Sequence, residues 1–205
     1  MTTPEAVELK NNGYQPINYY NNNFVSEQAS VFTEDFIDEL EKSLEMSARF
    51  KDVKETDWFY DAVQYSRING FFNGISNTEF DPNGTMTRGM FVTVLGRMAG
   101  VDAENYAGQS VFKDVSVSKW YAPYVAWAAK YGITTGTGDG NFSPDALINR
   151  QQMATFLVRY FEAFDVDYST DANVTTIPAD MDIVASWAQD AVLKLWAEGL
   201  LNGDG

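Results

Sequence analysis

The 205-residue chain contains neither cysteine nor histidine, and these absences exclude much of enzyme chemistry. Without cysteine there are no disulfide frameworks, thiolate metal sites or cysteine nucleophiles. Without histidine, serine–histidine catalysis and most zinc sites are excluded as well. We therefore expect no catalytic residues, no metal site and no cofactor. A glycosidase built on a carboxylate pair is the remaining enzymatic alternative, but no distinctive acidic pair stands out in this sequence.

Basic residues are scarce, since 14 lysines and arginines stand against 29 acidic residues and the formal net charge is −15. Phosphate binding needs basic stripes that the chain lacks, so nucleic acid is a poor partner. No apolar run approaches the ~20 residues of a membrane span. The first residues also lack the apolar stretch of a signal peptide, so any export signal has been removed or lies outside this sequence. A hydrophobic fraction of 45% is nevertheless enough for a packed core.

An internal repeat organises the chain. A shift of 62 positions, the separation of Trp58 and Trp120, places the Phe-Lys-Asp-Val sequence at 50–53 on the same sequence at 112–115. The shift needs no gap and also aligns identical residues further on, namely Val63 with Val125, Gly70 with Gly132, Gly74 with Gly136, Phe80 with Phe142, Pro82 with Pro144 and Arg88 with Arg150. Chance agreement would match only about one position in seventeen, so the chain contains two copies of one unit.

A third copy begins near Asp180, and a shift of 67 positions relates it to the second. That shift aligns Trp187, Val192, Gly199 and Gly203 with Trp120, Val125, Gly132 and Gly136. We expect only the first half of this copy within the sequence. The predicted organisation is an N-terminal extension at 1–23, a helical segment at 24–48, repeat 1 at 49–111, repeat 2 at 112–176 and the first half of repeat 3 at 177–205.

Each repeat is predicted to be a helix, a loop and a second helix, so the fold class is all-α. The first helices carry apolar residues at helical spacing and include Trp58, Trp120 and Trp187. Glycines end these helices at 70, 132 and 199. The glycine- and proline-containing stretches 73–86 and 135–148 cannot be helix interior. Thr87 and Asn149 are suitable N-caps for the second helices.

The segment 24–48 can complete the third repeat. Thr33 is a possible cap for a helix at 34–48, and a shift of 54 positions places Thr87 on Thr33. The same shift places three apolar residues of the second helix, Phe91, Val94 and Met98, on Ile37, Leu40 and Leu44. An unrelated amphipathic helix at a domain edge is the alternative.

The combined pattern resembles the S-layer homology repeat. Its best copy reads Phe-Lys-Asp-Val at 112–115, Trp-Tyr at 120–121, Gly-Ile-Thr-Thr-Gly at 132–136, Asp-Gly-Asn-Phe-Ser-Pro at 139–144 and Asn-Arg at 149–150. The resemblance implies a pseudo-three-fold prism whose second helices form a central three-helix bundle. It also implies a non-catalytic module of the extracellular bacterial cell wall or S-layer. In the family, grooves between repeats bind a secondary cell-wall polymer, an anionic polysaccharide that typically bears pyruvylated N-acetylmannosamine.

Two arginines are the chief ligand candidates that the resemblance implies. A family motif, Thr-Arg-Ala-Glu, opens the central helix; this chain has Thr-Arg-Gly-Met at 87–90 and Asn-Arg-Gln-Gln at 149–152, so the Arg is kept twice and the Glu is lost twice. A ketal-linked pyruvate is a carboxylate, which suits the forked guanidinium of Arg88 or Arg150 at a helix N-terminus. The alternative is an ion pair with an acidic neighbour such as Asp52 or Asp114.

Five further residues complete the candidate site. Gly74 and Gly136 would let a sugar approach the backbone, or would simply adopt left-handed turns. Asp139 could accept hydrogen bonds from sugar hydroxyls or cap its own turn. A tryptophan on an apolar helix face, such as Trp58 or Trp120, is more often a core residue than a sugar platform. We therefore expect partial burial, with one edge facing the groove.

An EF-hand calcium site is not expected in the loop of repeat 2, although oxygen-bearing residues alternate there at Asp139, Asn141, Ser143 and Asp145. A weakly held surface ion is the alternative. An EF-hand needs Gly at its sixth position and a bidentate Glu at its twelfth, where this chain has Pro144 and Arg150. We also expect Asp52 and Asp114 to be N-caps or turn residues.

The sequence thus predicts a module that anchors a surface or S-layer protein by binding wall polysaccharide. Neighbouring S-layer or surface-protein domains are further possible partners. The alternative function is a repeat scaffold that has lost sugar binding and assembles with other proteins.

Overall fold

The computed structural model describes residues 50–172 and 174–203, and this part of the chain forms α-helices and no β-strand. The five α-helices are α1 (Tyr60–Ile68), α2 (Arg88–Met98), α3 (Ala122–Lys130), α4 (Arg150–Phe164) and α5 (Gln189–Ala197), with a 3₁₀ helix at Ala103–Tyr106. The all-α prediction is confirmed. The chain divides into two compact units, whose described residues are 50–84 and 85–203 without 173.

The helix ends follow the capping signals of the sequence. At the start of α2, the Thr87 hydroxyl accepts a hydrogen bond from the Met90 amide. At the start of α4, Asn149 and Gln152 form a reciprocal capping box. The glycines that follow α1, α3 and α5 have positive φ angles of 70°, 72° and 65°, as their predicted helix-ending role requires.

The unit that contains residues 50–84 has a small core around α1. Phe50, Val53 and Val63 are buried there, and Phe80 packs against them from the loop. The Phe50 and Phe80 rings lie 5.4 Å apart. The Lys51 amide donates to the Thr78 carbonyl, which ties the start of the repeat to its own loop.

In the unit that contains residues 85–203, the second helix of one repeat packs against the first helix of the next. Helix α2 packs against α3, and α4 packs against α5; α2 also contacts α4. The large apolar side chains with the lowest exposure are Trp127, Phe142, Leu95, Ile133, Leu195, Val92 and Val125. Because the helix pairs cross repeat boundaries, each repeat depends on its neighbour for burial.

Several predictions concern residues outside the described part of the chain. The extension 1–23 and the segment 24–48, with its proposed completion of the third repeat, lie there. The central three-helix bundle and the prism therefore remain predictions. Within the described residues, no helix has both the length and the apolarity needed to span a bilayer.

Candidate functional site

A carboxylate from the start of repeat 2 holds the loop that leads to α4. The two oxygens of Asp114 accept hydrogen bonds from the Phe142 amide at 2.8 Å and the Ser143 amide at 2.7 Å. Burial raises the pKa of the Asp114 carboxyl, but these amides and the positive charge of Arg88 outweigh that effect, so the pKa lies below its ordinary value. Asp114 therefore fixes the loop in its ionised form.

Repeat 1 contains the same carboxylate clamp, that is, an aspartate whose carboxylate accepts hydrogen bonds from two loop amides. The carboxylate of Asp52 accepts hydrogen bonds from the Phe80 amide at 2.9 Å and the Asp81 amide at 2.7 Å. Burial raises the pKa of this carboxyl too, and the amides again bring it below its ordinary value. Asp52 and Asp114 lie in turns, as predicted, but their carboxylates also hold a loop that lies far along the chain. Spacing alone cannot reveal a bond to an amide 28 residues away.

Removal of the Asp114 carboxylate is expected to destabilise the unit in a pH-dependent way. A depressed folded-state pKa stabilises the fold above the unfolded value, 3.8, and this contribution is lost as the pH falls through the lower folded value. Asp114→Ala should therefore lower the free energy of unfolding at pH 7 by about 1–2 kcal/mol, because two loop amides lose a charged acceptor. Urea unfolding at pH 7 and at acid pH measures the difference.

Asp145→Ala is the control for that experiment, since Asp145 is an exposed acid in the same loop. It removes the same charge without removing the clamp. The difference between wild type and Asp114→Ala should shrink below the ordinary carboxyl pKa. A difference of equal size at both pH values would contradict the clamp.

Gly136 and Gly74 lie where the backbone of each loop passes an aromatic ring. A Cβ on Gly136 would lie 2.3 Å from the Asn141 carbonyl oxygen and 2.6 Å from the Phe112 ring. A Cβ on Gly74 would lie 2.4 Å from the Glu79 carbonyl oxygen and 2.5 Å from the Phe50 ring. The structure thus gives both glycines a packing role, whereas their predicted contact with sugar remains a prediction.

Arg88 is buried, with 3% of its surface exposed. Its Nε donates a 2.9 Å hydrogen bond to the Phe142 carbonyl, and its guanidinium lies 4.8 Å from the Phe142 ring centroid and 5.1 Å from that of Phe156. Burial lowers the pKa of the guanidinium, and the charge of Asp114 opposes this. The alternative of an ion pair with Asp114 is present only as this longer-range attraction, because the Asp114 oxygens hold loop amides.

The N-terminus of α2 is also covered. The Arg88 amide donates to the Ala146 carbonyl and the Gly89 amide to the Pro144 carbonyl, both at 2.9 Å. The first N–H groups of α2, which could receive an anion, are therefore bonded to the loop of repeat 2. This arrangement leaves Arg88 little surface for a ligand.

Arg150, the equivalent arginine of repeat 2, lies at the N-terminus of α4 beside a cavity of about 930 Å³. Its Nη2 donates a hydrogen bond to the Asn202 carbonyl. Asn149 and Gln151 line the cavity from α4, and Trp196 lines it from α5. The cavity combines a guanidinium, polar amides and apolar walls, a combination typical of a small-ligand site. Sequence patterns did not single out Trp196 or Asn202 as ligand candidates, although Asn202 lies between the aligned Gly199 and Gly203 of the third copy.

The tryptophans that open the repeats lie at the surface. Trp58 is 93% exposed, Trp120 is 57% exposed and Trp187 is 53% exposed. The expectation of partial burial is therefore wrong for Trp58, whereas Trp120 and Trp187 are partly buried as expected. The helices begin two residues after each tryptophan, and the neighbouring residue faces inward instead: Tyr121 and Ala188 are buried.

Asp139 is exposed and adopts a left-handed backbone conformation, with φ of 53°. Its carbonyl accepts a 2.9 Å hydrogen bond from the Lys113 ammonium. Its turn is closed by the Asn141 amide, which donates to the Gly138 carbonyl at 2.9 Å. The predicted contact of Asp139 with sugar hydroxyls remains a prediction. Within the described residues, no cluster of three acidic side chains could hold a metal ion.

Comparison with known families finds one family model that matches both repeats. Residues 49–89 and 111–154 match the family model of the S-layer homology domain. These two segments are S-layer homology repeats. The first match includes the Asp52 clamp, and the second includes the Asp114 clamp, the loop that covers α2 and the start of α4.

Several relatives share this region. The chain is 36% identical over 153 residues to the surface-layer 125 kDa protein of Lysinibacillus sphaericus, covering 71% of this chain and 12% of that protein. It is 30% identical over 156 residues to the S-layer protein sap of Bacillus anthracis, covering 76% of this chain and 18% of that protein. It is 29% identical over 162 residues to the amylopullulanase of Thermoanaerobacterium thermosulfurigenes, covering 79% of this chain and 8% of that protein. The chain thus spans less than a fifth of the length of these relatives.

Proposed function

We propose that this chain is a cell-wall anchoring module that binds an anionic wall polysaccharide and holds a surface protein on the bacterial cell. The observation that carries the proposal is the match of both repeats to the S-layer homology domain. Relatives named as surface-layer proteins support the same location. The amylopullulanase is matched over 8% of its length, which gives no support for catalysis by this chain.

The cavity beside Arg150 supports a carboxylate-bearing sugar as the ligand. A guanidinium fork binds a carboxylate through two charge-assisted hydrogen bonds. The N-terminus of α4 adds a favourable dipole to the same place. Pyruvylated N-acetylmannosamine offers such a carboxylate on a sugar ring. A local positive group can bind it even though the net charge of the chain is −15.

A pull-down with purified wall polymer tests the proposal. Arg150→Ala should weaken retention about tenfold, the loss of one good charged contact. Retention of the wild type should also fall as salt is added. Removal of pyruvate from the polymer should abolish the difference between wild type and Arg150→Ala. Lys51→Ala is the control, because it makes the same change of net charge at an exposed residue of the other unit.

Equal retention of the wild type and Arg150→Ala would contradict the carboxylate site. The second candidate function, a protein-assembly scaffold without sugar binding, is favoured by one observation. Arg88, the other arginine of the family motif, is buried between two phenylalanine rings. Failure of the wild-type chain to bind any wall polymer would contradict the first function and favour the second.

A further inference from the structure

Trp58 and Trp120 are held in the same exposed position by the same local structure. In repeat 2, the Lys119 amide donates to the Ser116 carbonyl at 3.0 Å and the Ala122 amide to the Lys119 carbonyl at 2.9 Å. Two consecutive turns therefore bracket Trp120. In repeat 1, the Asp57 and Tyr60 amides make the equivalent bonds, at 2.9 Å and 3.0 Å, to the carbonyls of Lys54 and Asp57.

The ring that follows each tryptophan contacts the indole edge-to-face. Trp120 meets Tyr121 edge-to-face at a centroid distance of 5.2 Å, and Trp58 meets Phe59 at 5.4 Å with almost the same angle. Tyr121 is itself buried. This contact restricts the Trp120 indole before any partner binds, which lowers the entropy that binding would cost. Trp58, which is 93% exposed, is restricted less. Trp187 is followed by Ala188, so its sequence offers no aromatic side chain at the next position.

The size of the apolar patch identifies the kind of partner. The four loop residues before Trp58 are all polar: Lys54, Glu55, Thr56 and Asp57. Before Trp120, Ser116, Ser118 and Lys119 are polar, and Val117 is a second exposed apolar side chain, 49% exposed. A stable protein interface buries about 800 Å² on each partner, far more than an indole and one valine offer. One face of a pyranose ring, with its C–H groups, matches an indole in size and polarity.

We infer that the exposed indoles of Trp58 and Trp120 are stacking faces for uncharged pyranose rings of the wall polymer. This inference rests on the proposed function and adds a contact of a different kind to it. Neither tryptophan lines the cavity beside Arg150. The charged cavity would recognise the pyruvate, whereas the stacking faces would bind sugar rings that carry no charge. Their recurrence, one on each matched repeat, suits a polymer of repeating sugars.

The test uses the whole chain and polymer from which pyruvate has been removed. The double variant Trp58→Ala/Trp120→Ala should bind this polymer about tenfold more weakly than the wild type. Phe at both positions should restore part of the binding, because a flat ring is retained. Polymer should also protect wild-type tryptophan fluorescence from acrylamide, and this protection should be lost in the double variant. Leu147→Ala is the control, since Leu147 is another exposed apolar side chain.

Each outcome decides the inference. Weaker binding together with lost protection supports the stacking faces. Unchanged binding of the double variant, while Arg150→Ala still weakens retention on the pyruvylated polymer, overturns them and leaves the anchoring function intact. No retention of the wild type on either polymer overturns the proposed function itself. If the double variant changes self-association in size-exclusion chromatography but not polymer binding, the tryptophans face protein and the sugar assignment is wrong.

Discussion

Gly136→Ala is expected to lower the free energy of unfolding of its unit by about 3 kcal/mol or more. Two costs add at this position. The backbone has a φ of 83°, which a residue with a Cβ adopts only at a cost of about 1–3 kcal/mol. The new Cβ would also lie 2.3 Å from the Asn141 carbonyl oxygen and 2.6 Å from the Phe112 ring. Neither neighbour can move freely, because Phe112 is in the core and Asn141 is in the loop held by Asp114.

Gly132→Ala separates the two costs. Gly132 has nearly the same backbone geometry, with φ of 72°, but nothing lies within 4 Å of the place that a Cβ would occupy. Its replacement should cost only the backbone strain, about 1–2 kcal/mol. Urea unfolding followed by near-ultraviolet circular dichroism measures both variants. Equal losses for Gly132→Ala and Gly136→Ala would show that the contact with Phe112 contributes nothing.

Gly74→Ala extends this comparison to the other unit. Its Cβ would approach the Glu79 carbonyl oxygen and the Phe50 ring as closely as the Cβ at Gly136 approaches its own neighbours. A loss of similar size is therefore expected, localised to the unit that contains residues 50–84. Hydrogen exchange of the α1 amides distinguishes this local opening from unfolding of the other unit.

The regular elements of the fold could be predicted from the sequence because their signals are local. The N-caps Thr87 and Asn149, and the glycines after the first helices, act within one helical turn. The packing of the second helix of one repeat against the first helix of the next could not be predicted this way. Helical periodicity shows that α2 and α3 each have an apolar face, but it does not show which helix covers it.

The candidate site was predicted less well, for a related reason. Trp120 and Tyr121 are adjacent aromatic residues. Because the helix begins at Ala122, two positions later than expected, Tyr121 is buried and Trp120 is exposed. The role of Asp114 depends on amides far along the chain. Arg88 and Arg150 occupy the same place in the repeat, yet their surroundings come from different loops and differ in burial.

Arg88→Ala is expected mainly to lower stability, whereas Arg150→Ala is expected mainly to weaken binding. Arg88→Ala removes a buried side chain from between Phe142 and Phe156 and leaves the Phe142 carbonyl without its donor. The lost packing and the unpaired carbonyl should together cost about 2–4 kcal/mol. Arg150→Ala, at an exposed residue, should cost less than about 1 kcal/mol while weakening polymer retention.

Arg88→Met tests whether the buried charge itself stabilises the fold. Methionine keeps much of the volume between the two rings and removes a guanidinium whose Nη2 is buried without a hydrogen-bond partner. A buried charge often gives no net advantage over an apolar side chain of similar volume, so the loss should be only about 1 kcal/mol. A loss as large as that of Arg88→Ala would show instead that the cation–π contacts and the bond to the Phe142 carbonyl require the charge. If Arg150→Ala destabilised the chain as strongly as Arg88→Ala, both arginines would be structural, and the cavity beside α4 would lose its role as the ligand site.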